Sequence, residues 1–311
     1  MMPRILLTST SFQDTPGNHQ VLLYEQGFEL VKLRGPLKEY QLLDIIDQFD
    51  GVICGDDEIT KKVIEKGALG KLKIISKYGT GLDKIDLTAA NNFNIPVTNC
   101  PGINQVTVAE HVFALLLSFS KNIILENEYI KKQEWVRLVG FELFGKTIGI
   151  VGTGNVGKEV IKRAVAFGMN VIAFDINPDF DFANKNSFKY CNSIRDLFEK
   201  SDIVSLNLSL LDTRKPILAQ KEILSMKDGV IIVNTSRAGL VNQDAILEGI
   251  NSGKIKGYLT DVLEEEPMVK NHPFLKYKNI IITPHIGSRT YENVVNQGTK
   301  AVENLLVHLR K

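Results

Sequence analysis

The sequence has few cysteines, no excess of charge of either sign and no long apolar run. Its three cysteines, Cys54, Cys100 and Cys191, lie far apart without CxxC spacing, which argues against a disulfide framework or a thiolate zinc site. The net charge of +1 gives no general attraction to nucleic acid or anionic membranes. No stretch reaches the roughly 18 apolar residues of a membrane span. We therefore expect a soluble, cytoplasmic protein with no metal and no nucleic-acid or membrane partner.

A chain of 311 residues, 44% of them apolar, is long enough for two globular domains. Its first apolar residues give way at once to the polar segment 8–11, so we expect no signal peptide. Short apolar strands then alternate with helical patterns such as 18–26 and 37–48, which predicts parallel sheets with helices on both faces. The predicted strands form a first series, 5–8, 28–33, 51–54 and 73–76, and a second series, 146–151, 170–174, 203–206, 229–233, 257–260 and 279–282.

A long apolar helical pattern over residues 106–130 lies between the two series. We expect it to leave the first domain and to pack onto the second. A last helical pattern, over residues 291–309, is free to return to the first domain. The chain then crosses twice, which predicts a first domain of residues 1–100 and 285–311 and a second domain of residues 101–284.

A GxGxxG motif lies between a predicted strand and a predicted helix. Its first glycine allows a tight turn, the second lets the backbone approach a pyrophosphate, and the third lets helix and strand pack closely. Asp175 ends the next strand, roughly 20 residues further on, where an acid that binds ribose hydroxyls is expected. Its charge repels a 2′-phosphate, which favours NAD over NADP. The predicted cofactor contacts are Gly152, Gly154, Asn155, Val156, Gly157 and Asp175.

A second glycine pair, Gly79 and Gly81, follows the strand at 73–76 but has no third glycine at the required spacing. One interpretation is a turn with positive φ angles. The other is a backbone pocket for a carboxylate. These residues alone leave both interpretations open.

An enzyme that uses a nicotinamide cofactor on a hydroxyl or carbonyl needs a group that exchanges a proton. His285 follows a predicted strand, at the edge where ligands of open α/β sheets bind. His111 lies in an apolar helical pattern and is interpreted as a core or interface residue. Arg237 also follows a strand and is suited to a carboxylate, with a surface arginine as the alternative. The acidic run 261–266 offers a carboxylate to orient the histidine, although most such runs are only solvated.

These motifs together resemble the D-isomer-specific 2-hydroxyacid dehydrogenase family, most nearly its phosphoglycerate dehydrogenase-like and hydroxypyruvate/glyoxylate reductase-like branches. The resemblance covers nearly the whole chain. It implies a Rossmann NAD-binding domain inserted in a flavodoxin-like substrate domain, and a homodimer built around the long helix. The motifs that carry it are residues 77–86, 97–104, 109–111, 152–157, 234–241, 261–267 and 283–286.

The resemblance also implies a role for each candidate residue. Arg237 would hold the carboxylate and carbonyl of a 2-keto acid, His285 would exchange the proton, and Glu266 would orient His285. The backbone at Tyr78 and Gly79 would bind the substrate carboxylate. The cofactor contacts predicted on this basis are Asp261 at the nicotinamide carboxamide, Asn207, Thr213, Thr235, Ser236 and Gly287.

The chain departs from the family pattern in two places. Asn207 stands where the family usually has histidine or cysteine before a proline, which we interpret as a change in adenine packing. Ala238 replaces a frequent glycine and is expected to narrow the site slightly. We expect no further regulatory domain after Lys311 and therefore no serine-type feedback through such a domain.

The motifs identify a 2-keto carboxylate but do not specify the group on C3 of the substrate. Lys77 is the best-placed cation for a phosphate there and Arg34 a weaker one, while a solvated lysine is an equally good interpretation of Lys77. We therefore favour 3-phosphoglycerate slightly, with hydroxypyruvate/glyoxylate reduction as the alternative. A formate dehydrogenase would pair its histidine with glutamine, not with Glu266. An alternative of another class is a non-enzymatic NAD-binding corepressor with the same fold.

Overall fold

The computed structural model describes residues 2–208 and 215–309. The chain forms two compact units, of which the first contains Met1–Asn104 and Ser288–Lys311 and the second contains Gln105–Gly287. The predicted crossings were at residues 100 and 284, a few residues earlier. As a result, His285 lies in the second unit, together with Glu266.

The first unit is built on a parallel sheet. Its strands are β1 (Arg4–Leu7), β2 (Glu29–Lys32), β3 (Gly51–Cys54), β4 (Ile74–Lys77) and β5 (Val97–Thr98). They lie in the order β2-β1-β3-β4-β5, which is the flavodoxin-like order. Ile5, Leu6 and Leu7 are all fully buried, as expected when helices cover both faces of a sheet. The helices before residue 105 are α1 (Thr10–Asp14), α2 (Asn18–Tyr24), α3 (Glu39–Leu43), α4 (Lys61–Leu69) and α5 (Leu87–Asn92).

The segment predicted as one helix over residues 37–48 is two short elements. α3 ends at Leu43, and a 3₁₀ turn follows at Ile46–Gln48. The N–H groups of Ile45 and Gln48 donate to carbonyls three residues earlier, which is the tighter 3₁₀ pattern. The apolar side chains still face the core, since Leu42 and Ile46 are buried.

The second unit contains a parallel sheet of seven strands. They are β6 (Thr147–Val151), β7 (Asn170–Phe174), β8 (Lys189–Tyr190), β9 (Ile203–Leu206), β10 (Val230–Asn234), β11 (Ile255–Thr260) and β12 (Ile280–Ile282). The order is β12-β11-β10-β9-β6-β7-β8, the Rossmann order with one further strand. The two parallel-sheet domains predicted from the sequence are thereby confirmed. The helices are α6 (Gln105–Ser120), α7 (Ile123–Lys131), α8 (Asn155–Ala166), α9 (Phe180–Lys185), α10 (Ile194–Lys200), α11 (Gln220–Ser225) and α12 (Gln243–Asn251), with 3₁₀ turns at Ala238–Leu240 and Pro273–Lys276.

The apolar pattern over residues 106–130 is two helices, not the one that was predicted. α6 and α7 meet at a bend of 59°, and Asn122 at the break has a left-handed φ of 53°. α6 buries Phe113 and Leu116 in the core, whereas α7 has no buried residue. Within residues 2–208 and 215–309, no single helix is long and apolar enough to cross a membrane; this bent pair meets the length and composition only when its halves are combined.

The last helix, α13 (Tyr291–Leu309), belongs to the first unit. The Ser76 hydroxyl on β4 donates to the Ala301 carbonyl over 2.7 Å. Val302 and Leu305 on the same helix are fully buried. The helix is thus fixed to the sheet of the first unit by apolar packing and by one buried hydrogen bond.

His19 on α2 is fully buried in the first unit. Its ring lies 4.5 Å from that of Phe12, and Nε2 is 3.2 Å from the Phe12 carbonyl oxygen. Nδ1 has no hydrogen-bond partner within the described part of the chain. Burial lowers the pKa of His19, and the contact with the Phe12 carbonyl only partly opposes this effect.

We predict that His19 makes the free energy of unfolding fall as the pH drops below about 6.5, because the unfolded chain then binds a proton that the folded chain excludes. This stability is complete above the unfolded-state pKa and is lost as the pH falls toward the lowered folded-state pKa. Urea unfolding measures the free energy of unfolding at about pH 8 and about pH 5.5. Its decrease between the two pH values should be smaller for His19→Gln than for the wild type. His308→Gln is the control, and equal losses in wild type and His19→Gln would contradict the prediction.

Candidate active site

The glycine turn joins β6 to α8 and uses its three glycines in different ways. Gly152 has a φ of +90°, which side chains rarely adopt. A Cβ on Gly157 would lie 2.0 Å from the Gly152 carbonyl oxygen, so no side chain fits there. A Cβ on Gly154 would meet nothing within 4 Å. The first and third glycines are therefore required by the turn itself, whereas the second leaves open space at the start of α8.

This open space has the features of a pyrophosphate site. Gly154 and Asn155 are exposed at the N-terminus of α8, where free N–H groups carry a partial positive charge. Thr235, directly after β10, has a buried hydroxyl that finds no partner among the described residues. Such a group is normally satisfied by protein, water or a bound ligand. The residues present therefore fit an NAD molecule, whose pyrophosphate Gly154 and Asn155 would hold.

Asp175 lies beside the glycine turn, directly after β7. Its Oδ2 accepts the Thr153 N–H at 2.6 Å, and its Oδ1 accepts the Asn177 N–H at 2.9 Å. Burial acts to raise the pKa of Asp175, but these hydrogen bonds outweigh burial and the pKa lies below its usual value. Carboxylate oxygens accept more than one hydrogen bond. The charged Asp175 therefore remains suited to the ribose hydroxyls.

His285 and Glu266 form a close pair in the second unit. His285 Nδ1 lies 2.8 Å from Glu266 Oε2, and Glu266 Oε1 accepts the Leu263 N–H at 2.9 Å. The side chains are 35% and 34% exposed, so the pair can be reached from solvent. His285 has a left-handed φ of 54°. Such backbone angles are uncommon for residues with a side chain and concentrate at functional positions.

The buried carboxylate of Asp261 connects β11 to the segment after β12. Asp261 is 2% exposed. Its Oδ1 accepts the Thr283 hydroxyl at 2.5 Å and the Ile286 N–H at 2.9 Å, and its Oδ2 accepts the Gly287 N–H at 2.7 Å. Burial opposes the charge, but hydrogen bonds from His111, Thr283 and the two backbone N–H groups hold the pKa of Asp261 below its usual value.

His111, interpreted from the sequence as a core or interface residue, has polar partners in the second unit. Its Nε2 lies 2.9 Å from Thr283 Oγ1 and 3.4 Å from Asp261 Oδ1. Its side chain is 15% exposed. The apolar residues around it on α6 gave no sign of this contact, because Thr283 lies 172 residues further along the chain.

Arg237 follows β10 after a turn that Asn234 holds. Asn234 is fully buried, its Nδ2 donates to the Arg237 carbonyl at 3.0 Å, and its Oδ1 accepts the Ser236 N–H at 3.1 Å. The Ser236 hydroxyl donates to the Leu206 carbonyl at 2.8 Å, so this predicted cofactor contact is already engaged within the protein. Arg237 Nη1 lies 2.8 Å from the Ser236 carbonyl oxygen.

The other predicted cofactor residues differ in their surroundings. Asn207 turns its amide toward Ser205, where Nδ2 donates to the carbonyl and to the hydroxyl at 3.1 Å each. Val156 packs against the core of the second unit. Gly287 is buried, with its N–H on the carboxylate described above. Thr213 lies outside the described residues.

Lys77, at the end of β4 in the first unit, is only 4% exposed. Its ammonium donates to the Gly55 carbonyl at 2.5 Å and to Asp56 Oδ1 at 2.6 Å. Arg34, the weaker candidate for a phosphate, pairs with both oxygens of Asp14 at 2.5 and 2.8 Å. Both cations are thus held by protein groups, and Lys77 is not the solvated lysine of the alternative interpretation.

The second glycine pair lies beyond Lys77, at the carboxyl end of β4. Tyr78 is buried, and burial raises its pKa to about 12 although a hydrogen bond with Ser11 acts against it. Gly79 has a φ of 125°, and its carbonyl accepts the Cys100 N–H at 2.8 Å. Of the positive φ angles expected of a turn, Gly79 has one, whereas Gly81 does not.

Comparison with known proteins places this geometry in a family. Residues 113–287 match the family model of the D-isomer specific 2-hydroxyacid dehydrogenase, NAD binding domain. The chain is 36% identical to the hydroxypyruvate reductase of Thermotoga maritima, over 93% of this chain and 94% of that protein. It is 35% identical to the D-3-phosphoglycerate dehydrogenase of Methanocaldococcus jannaschii over 99% of this chain, but it spans only 58% of that longer protein. A crystal structure of a protein from Thermus thermophilus, 32% identical, covers 99% of this chain and 97% of its own with a TM-score of 0.88.

We predict that two alanine substitutions in the glycine turn affect different properties, one the stability and the other the binding of NADH. Gly157→Ala should lower the melting temperature, because its Cβ has no room beside the Gly152 carbonyl. Gly154→Ala should leave the melting temperature nearly unchanged but weaken NADH binding, because its Cβ occupies only the open space. Thermal unfolding and NADH fluorescence titration measure the two effects. Unchanged NADH affinity in folded Gly154→Ala would show that the cofactor does not use this space.

Proposed function

Because this chain belongs to the D-isomer specific 2-hydroxyacid dehydrogenase family, we propose that it catalyses hydride transfer between the nicotinamide of NAD and C2 of a small 2-hydroxy or 2-keto acid. The paired side chains of His285 and Glu266, 2.8 Å apart at the carboxyl end of the second sheet, carry the proposal. The cofactor, when bound, supplies or accepts the hydride. The protein supplies the proton that must accompany the hydride to or from the C2 oxygen.

The proton exchange is assigned to His285. Its Nδ1 faces Glu266, which leaves Nε2 as the nitrogen directed to the C2 oxygen. In the direction of reduction, protonated His285 gives its proton to that oxygen as the hydride reaches C2. The Glu266 carboxylate, oriented by the Leu263 N–H, favours the charged imidazole through its opposite charge.

The substrate carboxylate is assigned to Arg237, whose backbone Asn234 holds in place. A guanidinium can donate two parallel hydrogen bonds to a carboxylate. These bonds fix the orientation of the carboxylate and compensate its negative charge. On the family resemblance, the backbone at Tyr78 and Gly79 in the first unit is also proposed to bind the carboxylate. Asp261 is proposed to lie at the nicotinamide carboxamide.

For the group on C3, the contacts of Lys77 favour an unphosphorylated acid. A phosphate would have to compete with Asp56, at 2.6 Å, for an ammonium that is nearly inaccessible to solvent. We therefore propose glyoxylate or hydroxypyruvate as the preferred substrate, and the name of the Thermotoga maritima relative supports hydroxypyruvate. 3-Phosphohydroxypyruvate is the second candidate, supported by the name of the Methanocaldococcus jannaschii relative.

We further propose a homodimer in the cytoplasm. α7 and the segment after it expose several large apolar side chains, which a partner subunit would cover. Free Cys54, Cys100 and Cys191 are consistent with a reducing compartment. The exposed apolar residues are Ile123, Ile124, Ile130, Trp135, Leu138 and Val139.

The proposed activity predicts NADH oxidation with at least one acid from a panel of glyoxylate, hydroxypyruvate, pyruvate and 3-phosphohydroxypyruvate. His285→Ala should lower kcat roughly 10²–10⁴-fold, the usual contribution of general acid–base catalysis. Glu266→Gln should move the pH–rate profile of reduction toward acid, because the charged imidazole loses its counter-ion. Glu265→Gln, at an exposed neighbouring acid, is the matched control. NADH binding without turnover of any of these acids would favour the corepressor-like alternative.

We expect NADH to exceed NADPH in kcat/KM by more than about tenfold, because Asp175 opposes the 2′-phosphate by like-charge repulsion. Asp175→Ala should narrow this ratio, whereas Asp181→Ala, at an exposed acid on α9, should leave it unchanged. Steady-state kinetics with both cofactors measure the ratio. Equal kcat/KM values for the wild type would refute the assignment of Asp175.

A further inference from the structure

The contact between His111 and Thr283, which leads on to Asp261, has no part in the mechanism described above. His111 lies on α6, which begins where the chain enters the second unit, whereas its partners follow β11 and β12. The Thr283 hydroxyl is 2.9 Å from His111 Nε2 on one side and 2.5 Å from Asp261 Oδ1 on the other. Two elements far apart in sequence therefore meet at one hydroxyl.

The direction of the hydrogen bonds follows from the donors and acceptors available. Asp261 is held in its charged form by its donors and can only accept. The single proton of the Thr283 hydroxyl must therefore point to Asp261. The hydroxyl oxygen is left as an acceptor, so His111 donates to it from Nε2–H. This order assigns one tautomer to His111, with its proton on Nε2.

Asp261 connects this arrangement to the segment that contains His285. Its two oxygens accept the N–H groups of Ile286 and Gly287, the two residues that follow His285. A Cβ on Gly287 would lie 2.9 Å from Asp261 Oδ2, so the backbone approaches the carboxylate closely. Thr283, two residues before His285, is held by the same carboxylate. The left-handed backbone of His285 is thus fixed on both sides by one group.

From this geometry we propose that His111 is a positioning residue for His285, acting through the Thr283 hydroxyl and the Asp261 carboxylate. The proposal rests on the proposed function, in which His285 exchanges the proton. Without the Nε2–H donor, the Thr283 hydroxyl is free to rotate away from Asp261 and the 283–287 segment loses one of its restraints. The imidazole of His285 is then presented to the C2 oxygen less accurately, while cofactor and substrate carboxylate still bind.

Two pairs of variants test the proposal. Thr283→Val and His111→Leu remove the contact, whereas Thr283→Ser and His111→Gln keep a hydroxyl and a terminal N–H donor. The first pair should lower kcat roughly tenfold to hundredfold, with KM for the keto acid and Kd for NADH within about twofold of the wild type. The second pair should restore most of kcat. Thr283→Val combined with His111→Leu should lower kcat by less than the product of the two single effects, because both variants break the His111–Thr283 contact.

Melting temperatures and nitrogen NMR of the imidazole rings complete the test. A merely structural role would lower the melting temperature but leave kcat per folded molecule unchanged, and that result would overturn the proposal. The NMR spectra should show His111 protonated at Nε2, and a proton on Nδ1 alone would also overturn it. The tautomer of His111 can be measured without enzyme activity. A wild type that reduces none of the acids would therefore refute the proposed function, while the NMR spectra would still test the role of His111.

Discussion

The Asp261 carboxylate accepts hydrogen bonds from Thr283, Ile286 and Gly287 while almost completely removed from solvent. A charge at this depth is strongly unfavourable unless protein donors replace the water it has lost. These three donors come from the segment after β12, so satisfying the charge also determines the path of that segment. The position of His285 opposite Glu266 therefore depends on a neighbouring carboxylate that, in our proposal, exchanges no proton itself.

Parallel strand order explains why the candidate residues of the second unit lie along one edge. All strands of the sheet run in the same direction, so the residues that follow them emerge on the same side. The order reverses between β6 and β9, which places the glycine turn beside the crevice typical of Rossmann folds. The residues that follow β6, β7, β10, β11 and β12 include, respectively, Gly152, Asp175, Arg237, Asp261 and His285.

The apolar runs predicted most strands of both sheets, because a parallel strand buried on both faces is apolar throughout. They did not predict β5 or β8, whose two residues each are too few for a pattern. The prediction of one continuous helix over residues 106–130 was wrong for a different reason. Apolar residues continue past residue 120, but those on α7 are not buried in the unit, and Asn122 turns the chain with a left-handed φ.

The sequence by itself determined the glycine turn and the acid that accompanies it. The requirement of the turn is local, since Gly157 is constrained by the carbonyl of Gly152 within the same turn. Asp175 directly follows the next strand of the same strand–helix–strand unit, a position that the spacing along the chain identifies. The tertiary structure alone decided what surrounds His111 and Lys77. His111 meets a hydroxyl 172 residues away, and Lys77 meets a carboxylate on the neighbouring strand's loop. Such contacts depend on which strands become neighbours in a sheet, and the spacing of residues along the chain carries no record of that order.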